Sequence, residues 1–341
     1  MQQRSLIIVL AAGALVLAGL AGAVAIYWNW AAGQLVTGVE RWRGAQESRG
    51  YAIHYQGPDL DGFPTALQAR FSGPRIEAPG AWRWTGPEIA GEAGLLTPLN
   101  IRLDFPGAHR FEALLGEESI TLDLAAAVAA AQIWLGGDGR LEAAETELKY
   151  LHVTGSPLIA LERLWTRVEA RFLPGDGDGG GQPAFDLAVE ARAVELPAGT
   201  GGALGDRIEG LDLETTLVGD IPAGATKAAL GIWRDAGGDL RVHASELTWG
   251  PLVIEAEGNL TLDGMLRPKG RLQARVRGLS ELADILVERG AIDAEAAAGI
   301  KIMAAVLGGQ NGGPGASLPI TLRRGRLYLG PAKVLRFGPI L

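Results

Sequence analysis

From Gly50 to the C-terminus, apolar and polar residues alternate again and again with a period of two. In an extended strand that period puts successive side chains on opposite faces, so each such run is a strand with one dry and one wet side. Leu99, Ile101, Leu103 and Phe105 alternate with Asn100, Arg102 and Asp104. In Leu164 to Phe172, Trp165, Arg167, Glu169 and Arg171 take the second face. Phe185 to Ala191, Leu211 to Leu217, Leu240 to Ala244, Leu252 to Leu262, Arg271 to Val276 and Ile320 to Leu329 repeat the pattern. Turn residues such as Gly237-Gly238 and Asp263-Gly264 separate them, which predicts sequential hairpins in one long antiparallel sheet.

Composition agrees with this class. Gly 50 and Pro 18 without a collagen-like period supply many tight turns, and a 48% hydrophobic chain of 341 residues can bury one sizeable core or two smaller ones. The net charge of -8, with no Lys/Arg stripe, excludes a nucleic-acid partner that binds by counterion release. Cys 0 removes thiolate catalysis, Fe–S clusters, Cys-based zinc sites and disulfides together.

The N-terminus obeys another rule. After Arg4, the stretch from Leu6 to Trp30 carries no charge, and the next charged residue is Glu40. A run of roughly 25 residues exceeds the ~20 that a helix needs to cross a bilayer. Arg4 before it, and Tyr27, Trp28 and Trp30 closing it, fit a cytoplasmic N-terminus and an interfacial aromatic belt, with the body outside the cytoplasm. Ala21-Gly22-Ala23 also fits a signal-peptidase site, so a cleaved signal competes with a retained anchor. Continuation of the run beyond Ala23 favours the anchor, and Leu35, Val39 and Trp42 at helical spacing extend the helix toward Gly50.

Three helices are expected among the strands: Ala223 to Asp235, Glu281 to Arg289 capped by Ser280, and Ala294 to Leu307 capped by Asp293. Gly290 and Gly308 suit their C-terminal ends. The apolar stripes Leu282, Ile285, Leu286 and Ile300, Met303, Val306, Leu307 need cover, which places this helix pair against the sheet. Pro174 to Pro183, nearly all Gly and Asp, and Gly308 to Ser317 are loops; the first divides two subdomains.

Searches for chemistry find little. Gly175 to Gly180 has the GxGxxG spacing, but no helix follows and its two Asp would repel a pyrophosphate. Asp176 and Asp178 start like a calcium loop, yet Gly180 and Leu187 occupy two ligand positions. His54, His109, His152 and His243 are isolated, Ser156 lacks a nucleophile's strand-to-helix turn, and Glu117-Glu118 or Glu142 and Glu145 are solvated charges. No catalytic, metal-binding or cofactor-binding residue is expected, and the chain is not expected to be an enzyme. Trp82, Trp84, Trp134, Trp165 and Trp249 are candidate groove aromatics, which could equally fill a core or pin strand pairs.

Several segments resemble a membrane-anchored alphaproteobacterial family, the domain of unknown function numbered twenty-one twenty-five. They are Trp42 after the apolar run, Asp61-Gly62-Phe63-Pro64, Trp82-Arg-Trp84, Pro106-Gly-Ala-His109-Arg110, Trp233 to Gly238, Trp249-Gly-Pro251, and Leu322 to Pro331. The resemblance covers almost the whole chain, implies anchoring and an envelope location, and supplies no catalytic residue.

The expected architecture is mainly β: an N-terminal transmembrane helix within an anchor and extension over 1–49, then a periplasmic β-rich domain over 50–341, an elongated curved antiparallel sheet packed on a few helices. Two functions suit it: a lipid or hydrophobic-ligand handling module anchored at the inner membrane, and a non-catalytic scaffold binding other envelope proteins. An open cavity would favour the ligand, and a continuous dry core the scaffold.

Overall fold

A computed structural model describes residues 2–115, 118–155, 159–173, 182–219, 227–309, 315–329 and 332–339. The chain is mainly β, with large antiparallel pairing and few helices. It divides into two units, Met1–Ala125 with Ala129–Arg140, and Ala126–Val128 with Leu141–Leu341. The divide therefore falls before the Gly-Asp loop, not in it. Residues 174–181 of that loop, including Asp176 and Asp178, lie outside the described residues, while the strands on either side of it pair within the second unit.

The first unit begins with α1 (Gln2–Glu47). Among the described residues no helix is long and apolar enough to cross a membrane. Arg4 and the run Leu6 to Ala21, on which that expectation rests, lie outside the residues whose side chains are described. Among the described residues eight strands follow: β1 (Ala52–Asp61), β2 (Ala66–Ala78), β3 (Trp82–Thr85), β4 (Glu88–Gly94), β5 (Thr97–Asp104), β6 (Ala108–Leu115), β7 (Glu118–Ala125) and β8 (Val128–Leu135). On one edge β2 pairs with β1, and its other edge is shared. Residues Ala66–Ser72 pair with β4, which continues to β5 and β8, while Arg75–Ala78 pair with β3, which continues to β6 and β7. The switch occurs at Gly73-Pro74, where Gly73 has φ +55 and Pro has no N–H to give a ladder.

Among the described residues the second unit is a ten-strand antiparallel meander in strict chain order: β9 (Leu141–Gly155), β10 (Ile159–Leu173), β11 (Gln182–Glu195), β12 (Arg207–Val218), then α2 (Lys227–Asp235), β13 (Asp239–Trp249), β14 (Leu252–Leu262), β15 (Pro268–Arg277), the pair α3 (Leu279–Glu288) and α4 (Ala294–Gly309), and β16 (Ala316–Arg323), β17 (Arg326–Leu329) and β18 (Ala332–Arg336). The expected sequential hairpins are present, and β14 has the predicted limits. Ile320 to Leu329 is two strands rather than one, because Arg324 and Gly325 both take positive φ (52° and 67°) and close a tight hairpin. Ser280 lies inside α3, whose N-cap is Gly278. Asp293 does cap α4, accepting from the Ala296 N–H at 2.7 Å.

Among the described residues, helices pack at both ends of this sheet's strands. At one end Trp233 of α2 is buried with Leu262 and Leu266, against Leu217 and Leu230. Its indole Nε1–H donates to the Val218 carbonyl at 2.8 Å. A Cβ at Gly238 would fall 2.2 Å from the Trp233 ring, so this turn accepts only glycine. At the other end α3 and α4 sit by Val276 and Ala316, both buried, around a crevice of about 390 Å³.

Candidate functional site

Register turns the alternation of single strands into two surfaces on the second unit. One is apolar: Leu164, Ala191, Leu211, Leu247, Ile254 and Val276 stand side by side across six strands. Leu148 on β9 and Ala316 on β16 extend the row at either end. With neighbouring strands ~4.8 Å apart, eight strands give an apolar row roughly 34 Å long. In the middle of this face Thr215, Val242 and Ala274 are buried, but Leu187, Leu213, Leu272, Leu318 and Ile320 all keep part of their surface exposed. Thr215 Oγ1 is buried there without a hydrogen-bond partner among the described residues, an arrangement costing about 1–3 kcal/mol until a partner arrives.

The opposite surface is charged. Glu147, Trp165, Glu190, Asp212, Glu246 and Glu255 form its central row. Guanidinium groups neutralise the row from neighbouring positions: Arg163 Nε lies 3.3 Å from Glu147, Arg192 Nη2 2.7 Å from Asp212 and Arg277 Nη2 2.7 Å from Glu255. Half-exposed pairs of this kind contribute little stability each and chiefly keep the face wet. Between Val242 and Glu246, three residues of β13 oppose two of β14, a bulge that turns His243 onto this face. Thr216, almost fully buried, donates its hydroxyl proton to Asp186 Oδ1 at 2.6 Å and lies 2.7 Å from His243 Nε2. A hydroxyl has one proton, so Nε2 carries the imidazole proton and donates to Thr216. Cavities of about 430, 430 and 630 Å³ all include His243 in their walls. Among the described residues no group of three or more His, Cys, Asp or Glu is placed to hold a metal ion.

The aromatics singled out from the sequence are dispersed. Trp82 and Trp84 share a face of β3, where Trp82 stacks on Phe111 (centroids 5.9 Å apart) and Trp84 on His109 (5.5 Å, 8° between planes). Trp134 stands opposite Asn100 in the first unit. In the second unit, Trp165 lies on the charged face between Glu147 and Glu190, and Trp249 donates Nε1–H to the Gly205 carbonyl at 2.9 Å. They do not assemble into one site in either unit. Of the belt residues, Trp28 turns inward and donates Nε1–H to the Ala66 carbonyl at 2.8 Å, whereas Tyr27 and Trp30 are exposed.

Two of the quoted motif segments meet inside the first unit. His109 is buried, its Nε2 3.1 Å from the Phe105 carbonyl, and a Cβ at Gly86 would lie 2.3 Å from its Nδ1. Residues 28–337 match the sequence model of a family described as an uncharacterised protein conserved in bacteria, DUF2125. The chain belongs to this family. The DUF2125 match starts at Trp28, the residue by which α1 docks on β2, and ends beyond the last strand. No curated protein and no solved structure matches the chain.

The sequence concealed both the His243 chain and the open centre of the apolar face. Thr216 and His243 are 27 positions apart, and only the bulge brings the imidazole to the hydroxyl. Half-exposed and fully buried leucines look the same in an alternating pattern.

Proposed function

We propose that this DUF2125 protein is a non-catalytic envelope module, held at the inner membrane by α1 with its N-terminus cytoplasmic and its body periplasmic, that carries a lipid or another apolar ligand. The apolar face of the second unit is the observation that carries this reading. Its large central aliphatics are left partly open while its helices lie at the ends of the strands. A bilayer's hydrocarbon core is about 30 Å thick, so one acyl chain is about half that length, and the row of roughly 34 Å accommodates it. Leu187, Leu213 and Leu318 would supply dispersion contacts and lose water on binding.

A scaffold for other envelope proteins is the second reading, favoured by Ile302 and Val306, both exposed on α4. Native mass spectrometry of the intact protein, purified from membranes in mild detergent, with organic extraction of what co-purifies, separates the two. A lipid retained in stoichiometric amount is the expected result. A ligand-free protein would move the weight to the scaffold.

A further inference from the structure

We infer that the first unit stands on the bilayer through two hairpin tips beside α1, so that the lipid surface is a second binding partner of the folded domain; this rests on the membrane-anchor reading above. The contacts are local and explicit. Trp28 of α1 meets Phe63, in the β1–β2 turn, edge to face with centroids 6.1 Å apart. The Tyr27 hydroxyl lies 3.5 Å from the carbonyl of Leu95, in the β4–β5 turn. The two turns are tied together by the Leu95 N–H donating to the Thr65 carbonyl at 3.1 Å. The two tips thus meet α1 at one level, and there apolar side chains point to solvent: Leu96 is 97% exposed, Ile26 74%, Trp30 59% and Phe63 54%.

Charge is missing from all three segments at this level. No Asp, Glu, Lys or Arg occurs in residues 5–39, 62–69 or 93–101. A patch of exposed leucine, isoleucine and aromatic side chains without a single charge is unfavourable in water and suited to the boundary of a membrane. The length of α1 fixes the occupant. Beyond the tips the helix continues from Ala25 back to Leu6, roughly 20 residues or 30 Å, the thickness of the hydrocarbon core. A helix that spans by this segment brings Phe63 and Leu96 to the interface without any rearrangement. The first unit is then held at two kinds of point, a spanning helix and two dipping tips, which fixes its tilt as well as its location.

The chain has no cysteine, so single-cysteine variants labelled with an environment-sensitive fluorophore are clean probes. Full-length protein carrying a label at Leu15, Phe63, Leu96 or Ala81 is reconstituted into phosphatidylcholine–phosphatidylglycerol vesicles with and without brominated acyl chains. Ala81 is exposed at the far end of β2, ~40 Å from Ala66 at strand rise, and serves as the control. Loss of emission at Leu15, Phe63 and Leu96 with none at Ala81 is the expected result. Quenching at Leu15 alone would keep the anchor and overturn the footing. Labels that all behave like Ala81 would sink the anchor and the footing together. Agreement between Phe63 and Leu96 guards against one label disturbing its own turn.

Discussion

Glu77 on β2 shows how the wet faces are kept ordered. Arg75 donates to its Oε2 at 2.7 Å, and Arg83 of β3 grips both oxygens at 3.1 and 3.2 Å. The Arg83 hydrogen bonds first and the Arg75 hydrogen bond second hold its carboxyl at about 2, below its ordinary 4.5. A folded value below the unfolded one means that the pairing is complete above about pH 4.5 and is lost as pH falls toward 2. An NMR titration is expected to find Glu77 still ionised at pH 3, and Arg83→Gln is expected to return its midpoint toward 4.5. The group is open to water, so the effect is local order more than stability. The sequence spaces Glu77 and Arg83 six apart with no hint of contact. The β2–β3 hairpin makes them direct partners.

At the scale of the element, β14 and β15 approach too closely for side chains at two points, Gly258 and Gly270. Gly258 has φ +145, and a Cβ there would lie 2.3 Å from the Arg271 carbonyl. This glycine stands opposite Val242, beside the bulge that displaces His243. Gly258→Ala is expected to lower stability by about 1–3 kcal/mol in urea unfolding, and wild-type stability would show that the strands separate easily. Alternation located β14 residue for residue because both its faces carry a clean pattern. It ran β16 and β17 together because Arg324 is a poor sign of left-handed backbone. The short β3 was legible only as a Trp-Arg-Trp motif, since four residues are too few to establish a period.

On the scale of the whole molecule, the ligand reading predicts a separation between binding and folding. Leu213 and Leu318 lie in the open part of the apolar face, so Leu213→Glu with Leu318→Glu costs less stability than the ~2–5 kcal/mol expected for emptying a core position. The same charges at an acyl-chain site are prohibitive. The double variant is expected to lose its co-purified lipid while keeping a cooperative unfolding transition. Retention of lipid would remove the ligand from this face. By itself the sequence determined the class, the meander of the second unit, two of three helices nearly to their ends, and the long uncharged run, because each is set by periodicity, capping residues or hydropathy along a single stretch of chain. Tertiary structure alone decided the splitting of β2's edge, the division before rather than within the Gly-Asp loop, the Asp186–Thr216–His243 chain, the scattering of the tryptophans and the meeting of Phe63 and Leu95 with α1. Each of these depends on which strands pair and how far helices reach across a face, and neither pairing nor cover leaves a periodic mark on the residues involved.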